Sequence, residues 1–115
     1  MTISTTTLKN AAFAIEHDLF TDPDGSHYLV KDGAILRRWE PEHDDGEALR
    51  LAMALGIGIH PDLAVSSVQS SFMIGPYGYN EFAEFEDYED CPMFSVRMLI
   101  VLSAVRIGEF LKCQS

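Results

Sequence analysis

Basic side chains are scarce in this chain, and none occurs between Arg50 and Arg97. Eight Lys and Arg stand against 18 Asp and Glu, a formal net charge of -10. Phosphate backbones are gripped by cationic side chains, so this balance argues against direct nucleic-acid binding and favours basic partner proteins. Cysteine is also sparse. Cys91 and Cys113 have no histidine at ligand spacing, so they frame no zinc site, and nothing about them demands a disulfide. Long apolar runs are missing too. The longest, Met98–Val105, is interrupted by Ser103 and flanked by Arg97 and Arg106, well short of the roughly 18–20 residues that cross a bilayer. The opening MTISTTTLKN lacks a basic segment followed by an apolar one, which leads us to expect a soluble, reduced, cytoplasmic protein.

Signatures of chemistry are equally thin. There is no GxSxG, GxxxxGK[ST] or GxGxxG pattern, and no Cys-His context that would activate a nucleophile. His17, His27, His43 and His60 are never paired at i, i+4 and read as turn or surface residues. Asp22–His27 (DPDGSH) starts like a calcium loop, but its glycine comes too early and no Glu closes it, so it reads as a turn. The expectation is a protein without catalytic residues, cofactor or metal.

What is present is enough for one domain: 115 residues, 47% of them apolar, can bury a core without staples. Thr7–His17 spaces Leu8, Ala11, Ala12 and Ile15 as a helix, with Thr5 or Thr6 as its cap. After the Asp22–Gly25 turn, HYLVK and AILRRW form a hairpin about Asp32-Gly33, a dipeptide suited to a type I′ turn. Its Tyr28 and Val30 share one face, and Ile35 or Leu36 points to the core. Asp44 and Glu47 make a capping box, and Gly56 a left-handed stop, for a helix over Asp45–Leu55 buried through Ala48, Leu51, Ala52 and Leu55. The IGIH segment reads as a chain reversal. Leu63–Ile74 alternates as a strand and Gly75–Gly78 turns the chain. Met93–Lys112, with Pro92 in its first turn, is a long helix whose narrow polar strip holds Ser95, Arg106 and Glu109. A helix so apolar needs cover on more than one side, from a sheet, another helix or a second copy. The class is therefore α+β, a single domain ordered helix, hairpin, helix, hairpin, helix, with one antiparallel or mixed sheet covered by helices.

The most unusual segment is Tyr79–Asp90, YNEFAEFEDYED. As a helix, Tyr79, Phe82, Phe85 and Tyr88 gather into one aromatic stripe. As a strand, Tyr79, Glu81, Ala83, Phe85 and Asp87 share one face, and Asn80, Phe82, Glu84, Glu86 and Tyr88 share a more solvated one. A strand after the GPYG turn is favoured. Three readings stand side by side: an edge strand kept soluble by its acids, a surface for a basic partner, and a hard-cation site. The partner-binding candidates are Tyr79, Glu81, Phe82, Glu84, Phe85, Glu86, Asp87, Tyr88, Glu89 and Asp90.

Trp39–Gly56, WEPEHDDGEALRLAMALG, resembles a segment of small proteins of tailed phages and prophages related to the phage ABA-sandwich domain family. In those proteins a WNPL-like start, an acidic pair and an ALRLA-like helix occur together. The likeness continues into a final helix preceded by Asp90-Cys-Pro-Met-Phe-Ser-Val-Arg. The departures are the Glu-His variation before the acidic pair and the acidic aromatic stretch itself. The resemblance brings no catalytic residues. It implies a phage accessory protein in a bacterial host cell, with Trp39 packing between hairpin and helix and Asp44 as a cap. Two functions are carried forward. One is a non-catalytic binder of a basic host protein or complex, inhibiting a bacterial defence complex by occupying its nucleic-acid site. The other is a structural or self-associating protein, a homodimer through Met93–Leu111 that includes Ile100, Ala104 and Ile107. A small enzyme is third.

Overall fold

The computed structural model describes residues 4–62, 67–84 and 92–113. The first helix, α1 (Thr5–Ala14), begins where Ser4 Oγ accepts the N–H of Thr7 at 3.1 Å. The cap is thus Ser4, one residue before the expected threonines. The helix also ends short of His17, because Glu16 takes a left-handed φ of 62° and the N–H groups of Ile15, Glu16 and His17 close onto the last turn. Beyond that stop Asp18–Thr21 forms a strand, β1, where the sequence reading places no element.

β1 pairs antiparallel with β2 (His27–Lys31), and β2 with β3 (Ala34–Arg38), in a three-stranded meander. The β2–β3 turn is the expected Asp32-Gly33 pair, with φ of 53° and 81°, the positive values a type I′ turn needs. The core side of this sheet differs from expectation. Leu29, between Tyr28 and Val30, is the fully buried residue, and every residue of β3 is exposed. Ile35 and Leu36 face solvent because the ladder shifts between Leu29 and Val30, where Val30 pairs with Ile35 and Leu29 with Arg37. The extra residue, Leu36, is a bulge that turns Arg37 rather than Leu36 toward Leu29's side of the sheet.

The second helix, α2 (Asp45–Leu55), follows its local signals. Asp44 Oδ1 accepts the N–H of Glu47 at 3.0 Å, and Gly56 stops the helix at a φ of 68°. Ala48, Leu51 and Ala52 are buried, while Leu55 is half-buried. Trp39, 1% exposed, packs into the same core, and its backbone N–H donates to His27 O at 2.8 Å, locking the end of β3 to the start of β2.

A second meander follows. The expected chain reversal at IGIH is a strand, β4 (Gly58–Asp62), paired with β5 (Ser67–Ile74). β5 turns through Gly75 and Pro76 into β6 (Tyr77–Glu84). The α+β class holds and all pairing among the described residues is antiparallel, but each expected hairpin is a three-stranded meander. The single sheet of the sequence reading is two sheets, β1–β2–β3 and β4–β5–β6.

The last helix, α3 (Pro92–Cys113), is the centre of the molecule. It packs against α1 and α2 and against β5 and β6, which answers its need for cover on more than one side. Ile100, Val101, Ala104, Val105 and Ile107 are buried in one cluster with α1, α2, Leu29, Trp39 and Phe72. The homodimer expected through Met93–Leu111 thus loses its central residues. Ile100, Ala104 and Ile107 are 4%, 0% and 8% exposed within a single chain. Ser95 also departs from its expected place on the polar strip and is fully buried, while Arg106 and Glu109 remain exposed. No described helix is long and apolar enough to cross a membrane.

Candidate functional site

Of the acidic aromatic stretch, Tyr79–Glu84 lies in β6, so its described part is strand. Tyr79 pairs in register with Phe72 and Glu81 with Ser70, both buried residues of β5. Tyr79 and Glu81 therefore stand on the half-buried face and Asn80 on the exposed one, as the strand reading expects. Phe82 and Glu84 pair in register with Gln69 and Ser67. Phe85, Glu86, Asp87, Tyr88, Glu89 and Asp90 lie outside the described residues.

The fold supplies what the local sequence lacks, a cation. Arg106 of α3 donates from Nη1 to Glu81 Oε1, and its guanidinium carbon lies 5.4 Å from the centre of the Tyr79 ring, which stacks on Phe72 at 6.1 Å. Arg106 is held above its ordinary pKa first by this hydrogen bond to Glu81. Tyr79 and Glu81 thus anchor β6 to α3, and an incoming cation would have to displace Arg106 to reach them.

The same engagement recurs for every arginine. Glu47, 7% exposed, receives Arg37 through two bonds of 2.8 and 3.1 Å and Arg50 through one of 2.9 Å. Arg38 bonds Glu40 at 2.7 Å. Arg97 bonds Asp45 at 2.6 Å and the carbonyl of Glu42 at 3.0 Å, tying the loop before α2 to α3. All five arginines are therefore bonded to carboxylates of their own chain. The carboxylate surplus is left to set the field around the molecule.

Part of that surplus sits at the ends of the first sheet. The β1–β2 turn is built on aspartates: Asp22 Oδ1 accepts the N–H of Asp24 and of Ser26 at 3.1 and 3.2 Å, and Asp24 Oδ1 accepts the N–H of Ser26 at 2.8 Å. The Asp24 pKa is lowered to about 2, first by its hydrogen bond with the Asp22 side chain and next by Ser26. Asp22 in turn raises the Tyr28 phenol by charge repulsion. At the other end, Glu16, Asp18 and Asp32 border a 480 Å³ cleft floored by Phe13, Val30 and Leu111. His17 also lines it, with Nδ1 bonded to Ile15 O at 2.6 Å. The cleft escaped the sequence reading because Asp18–Thr21, between the expected helix and the Asp22–Gly25 turn, was left without an element. The signal available was the apolar pair Leu19-Phe20 directly before an Asp-Pro-Asp-Gly turn, the pattern of a hairpin arm.

The other histidines do not gather. His27 Nε2 lies 3.3 Å from Thr5 Oγ1, and His43 is exposed. His60 Nε2 lies 2.8 Å from Ser71 Oγ on the open face of the second sheet. No carboxylate among the described residues orients that ring, a part that a nucleophile-base pair needs. No group of three His, Cys, Asp or Glu among the described residues is placed to hold a metal ion. Cys113, at the end of α3, is an exposed free thiol, and Cys91 lies outside the described residues.

No family model matches the chain, and neither a curated protein nor a solved structure does.

Proposed function

We propose that this protein is a non-catalytic binder of a basic partner protein. The observation that carries the reading is the state of its cations. All five arginines are engaged by internal carboxylates, in a chain whose acids outnumber its Lys and Arg by 18 to 8. An anionic ligand meets repulsion and few available guanidinium groups, whereas a basic partner is steered in and held by carboxylates with neighbouring apolar anchors. The resemblance of Trp39–Gly56 to tailed-phage accessory proteins supplies a setting, a bacterial host cell. In that setting a nucleic-acid-handling protein, such as a component of a defence complex, presents the required basic surface.

The test is capture from a bacterial lysate at low and high salt. Wild type is compared with a variant carrying Glu84→Gln, Glu86→Gln, Asp87→Asn, Glu89→Gln and Asp90→Asn. Glu81 is left intact because it holds Arg106. A basic partner bound by wild type at low salt, and released by salt, supports the reading. Its loss in the variant assigns it to the segment after β6, and its retention there moves the contact elsewhere on the acidic surface. Partners that are acidic or insensitive to salt would refute the proposal.

A further inference from the structure

The first sheet has an outer face that the fold leaves uncovered. The register places Phe20 beside Tyr28, Tyr28 beside Arg38, and Val30 beside Ile35, all on the side opposite the buried Leu29. Phe20, Ile35 and Leu36 are 45%, 59% and 48% exposed, and the Phe20 and Tyr28 rings lie 6.3 Å apart. Such side chains clustered on a small acidic protein need an explanation that single exposed apolar residues do not. Among the described residues β3 pairs with β2 alone, so one row of its N–H and C=O groups is unpaired, a template for another strand.

Charge selects the occupant. Asp22 and Asp24 crown one end of the sheet, and Asp18 and Asp32 lie at the other. Of the hairpin's cations, Arg37 is engaged by Glu47 and Arg38 by Glu40, and Arg38 also acts on Asp24, so Lys31 and that shared guanidinium face a larger set of aspartates. A second copy would bring the same aspartates and another net charge of -10 to the same edge, and like charges facing each other are penalised. A segment with an apolar centre and Lys or Arg at both ends matches the apolar centre and acidic ends of this sheet. We infer that an extended, lysine- or arginine-flanked segment of the partner adds as a fourth strand along Ala34–Arg38, its apolar residues on the face of Phe20, Tyr28 and Ile35. This strand-addition mode takes affinity from main-chain hydrogen bonds and specificity from alternate side chains. It rests on the basic-partner reading and gives that partner a place and a shape.

The experiment titrates isotope-labelled protein with the synthetic peptide KKVTVTVKK and its counterpart EEVTVTVEE, following backbone amide shifts. The expected result is that KKVTVTVKK shifts the amides of Ala34–Arg38 first, binds more weakly as salt is added, and loses on the order of tenfold affinity with Ile35→Ser/Leu36→Ser, the scale of losing apolar anchors. Both positions are exposed, so the variant should keep its amide pattern outside β3. Shifts from KKVTVTVKK confined to β6 and the residues after it would overturn strand addition at β3 and leave the basic-partner reading standing. Equal binding of EEVTVTVEE at β3 would overturn the charge selection and with it this proposal. A lack of response to either peptide would also overturn it, while lysate capture of a basic protein would still report on the broader reading.

Discussion

Two buried hydroxyls join the second sheet to the central helix. Ser103 Oγ donates to Leu99 O at 2.8 Å, which leaves it to accept from Ser70 Oγ at 2.7 Å, and both side chains are fully buried. An unmade buried hydrogen bond costs more than a made one contributes, because the stranded group has already given up water. Ser103→Ala should therefore destabilise by about 1–3 kcal/mol in urea unfolding, whereas adding Ser70→Ala should recover much of that loss. If the double variant is as unstable as the sum of the two singles, the hydroxyls are not partners. Glu42 poses the opposite problem. It is 5% exposed with Oε1 lacking a hydrogen-bond partner among the described residues, and burial pushes its pKa above the ordinary 4.5. A raised folded-state pKa means the protonated form suits the fold. The resulting penalty is absent below the unfolded value and grows as pH rises through the folded one. Glu42→Gln should thus raise the melting temperature at pH about 7, where the native carboxylate must ionise in the core, with the gain vanishing on acidification. A gain independent of pH would show that ionisation is not the cause.

Helix packing depends on one small residue. α1 and α3 approach so closely that a Cβ at Gly108 would overlap the backbone carbonyl of Asn10. That atom belongs to a helix and cannot swing aside as a side-chain tip does. Gly108→Ala gains about 1 kcal/mol of helix propensity, yet it forces apart two helices that bury Leu8, Ala11, Ala12 and Ala104. Overpacking should win, with a net loss of about 1–3 kcal/mol measured by denaturant unfolding; an unchanged or raised stability would show that the helices separate at little cost. Lys112 reinforces the same seam from the surface, bonding Asn10 Oδ1 at 2.6 Å with its ammonium 5.3 Å from the centre of the Phe13 ring. Arg37 shows how one element's irregularity serves another. The β3 bulge brings it onto the same side as Leu29, and there it meets Glu47 in the first turn of α2.

The central apolar residues of α3, Ile100, Val101, Ala104, Val105 and Ile107, are buried inside the chain, and the molecule repels its own copies through a net charge of -10. Light scattering at micromolar concentration should therefore return the single-chain mass of 12.8 kDa, including at raised salt, where charge repulsion is screened. A stable species of twice that mass would require an interface other than Ile100, Ala104 and Ile107. The uncovered outer face of the first sheet would then be the place to look for it.

Local chemistry alone dictates a good part of this architecture. The Asp44 cap, the Gly56 stop and the Asp32-Gly33 turn act within a few residues of themselves, so α2 and the β2–β3 turn are readable without any partner. The alternation of Tyr79, Asn80 and Glu81 between faces was equally legible, since a strand's period of two follows from its backbone. Long-range contact decided the rest. β1 has four residues, too few to show a period against the helix before it, and it becomes a strand by pairing with β2. Ile35 and Leu36 look like core residues until the bulge turns them out, and Ser95 looks like a surface residue until α3 is surrounded. The cation absent around Tyr79 arrives from Arg106, distant in the chain and adjacent only once α3 crosses the second sheet. Caps and turns are set by neighbours in sequence, while burial and ion pairing are set by neighbours in space, which exist only when the helices and both sheets have closed on one core.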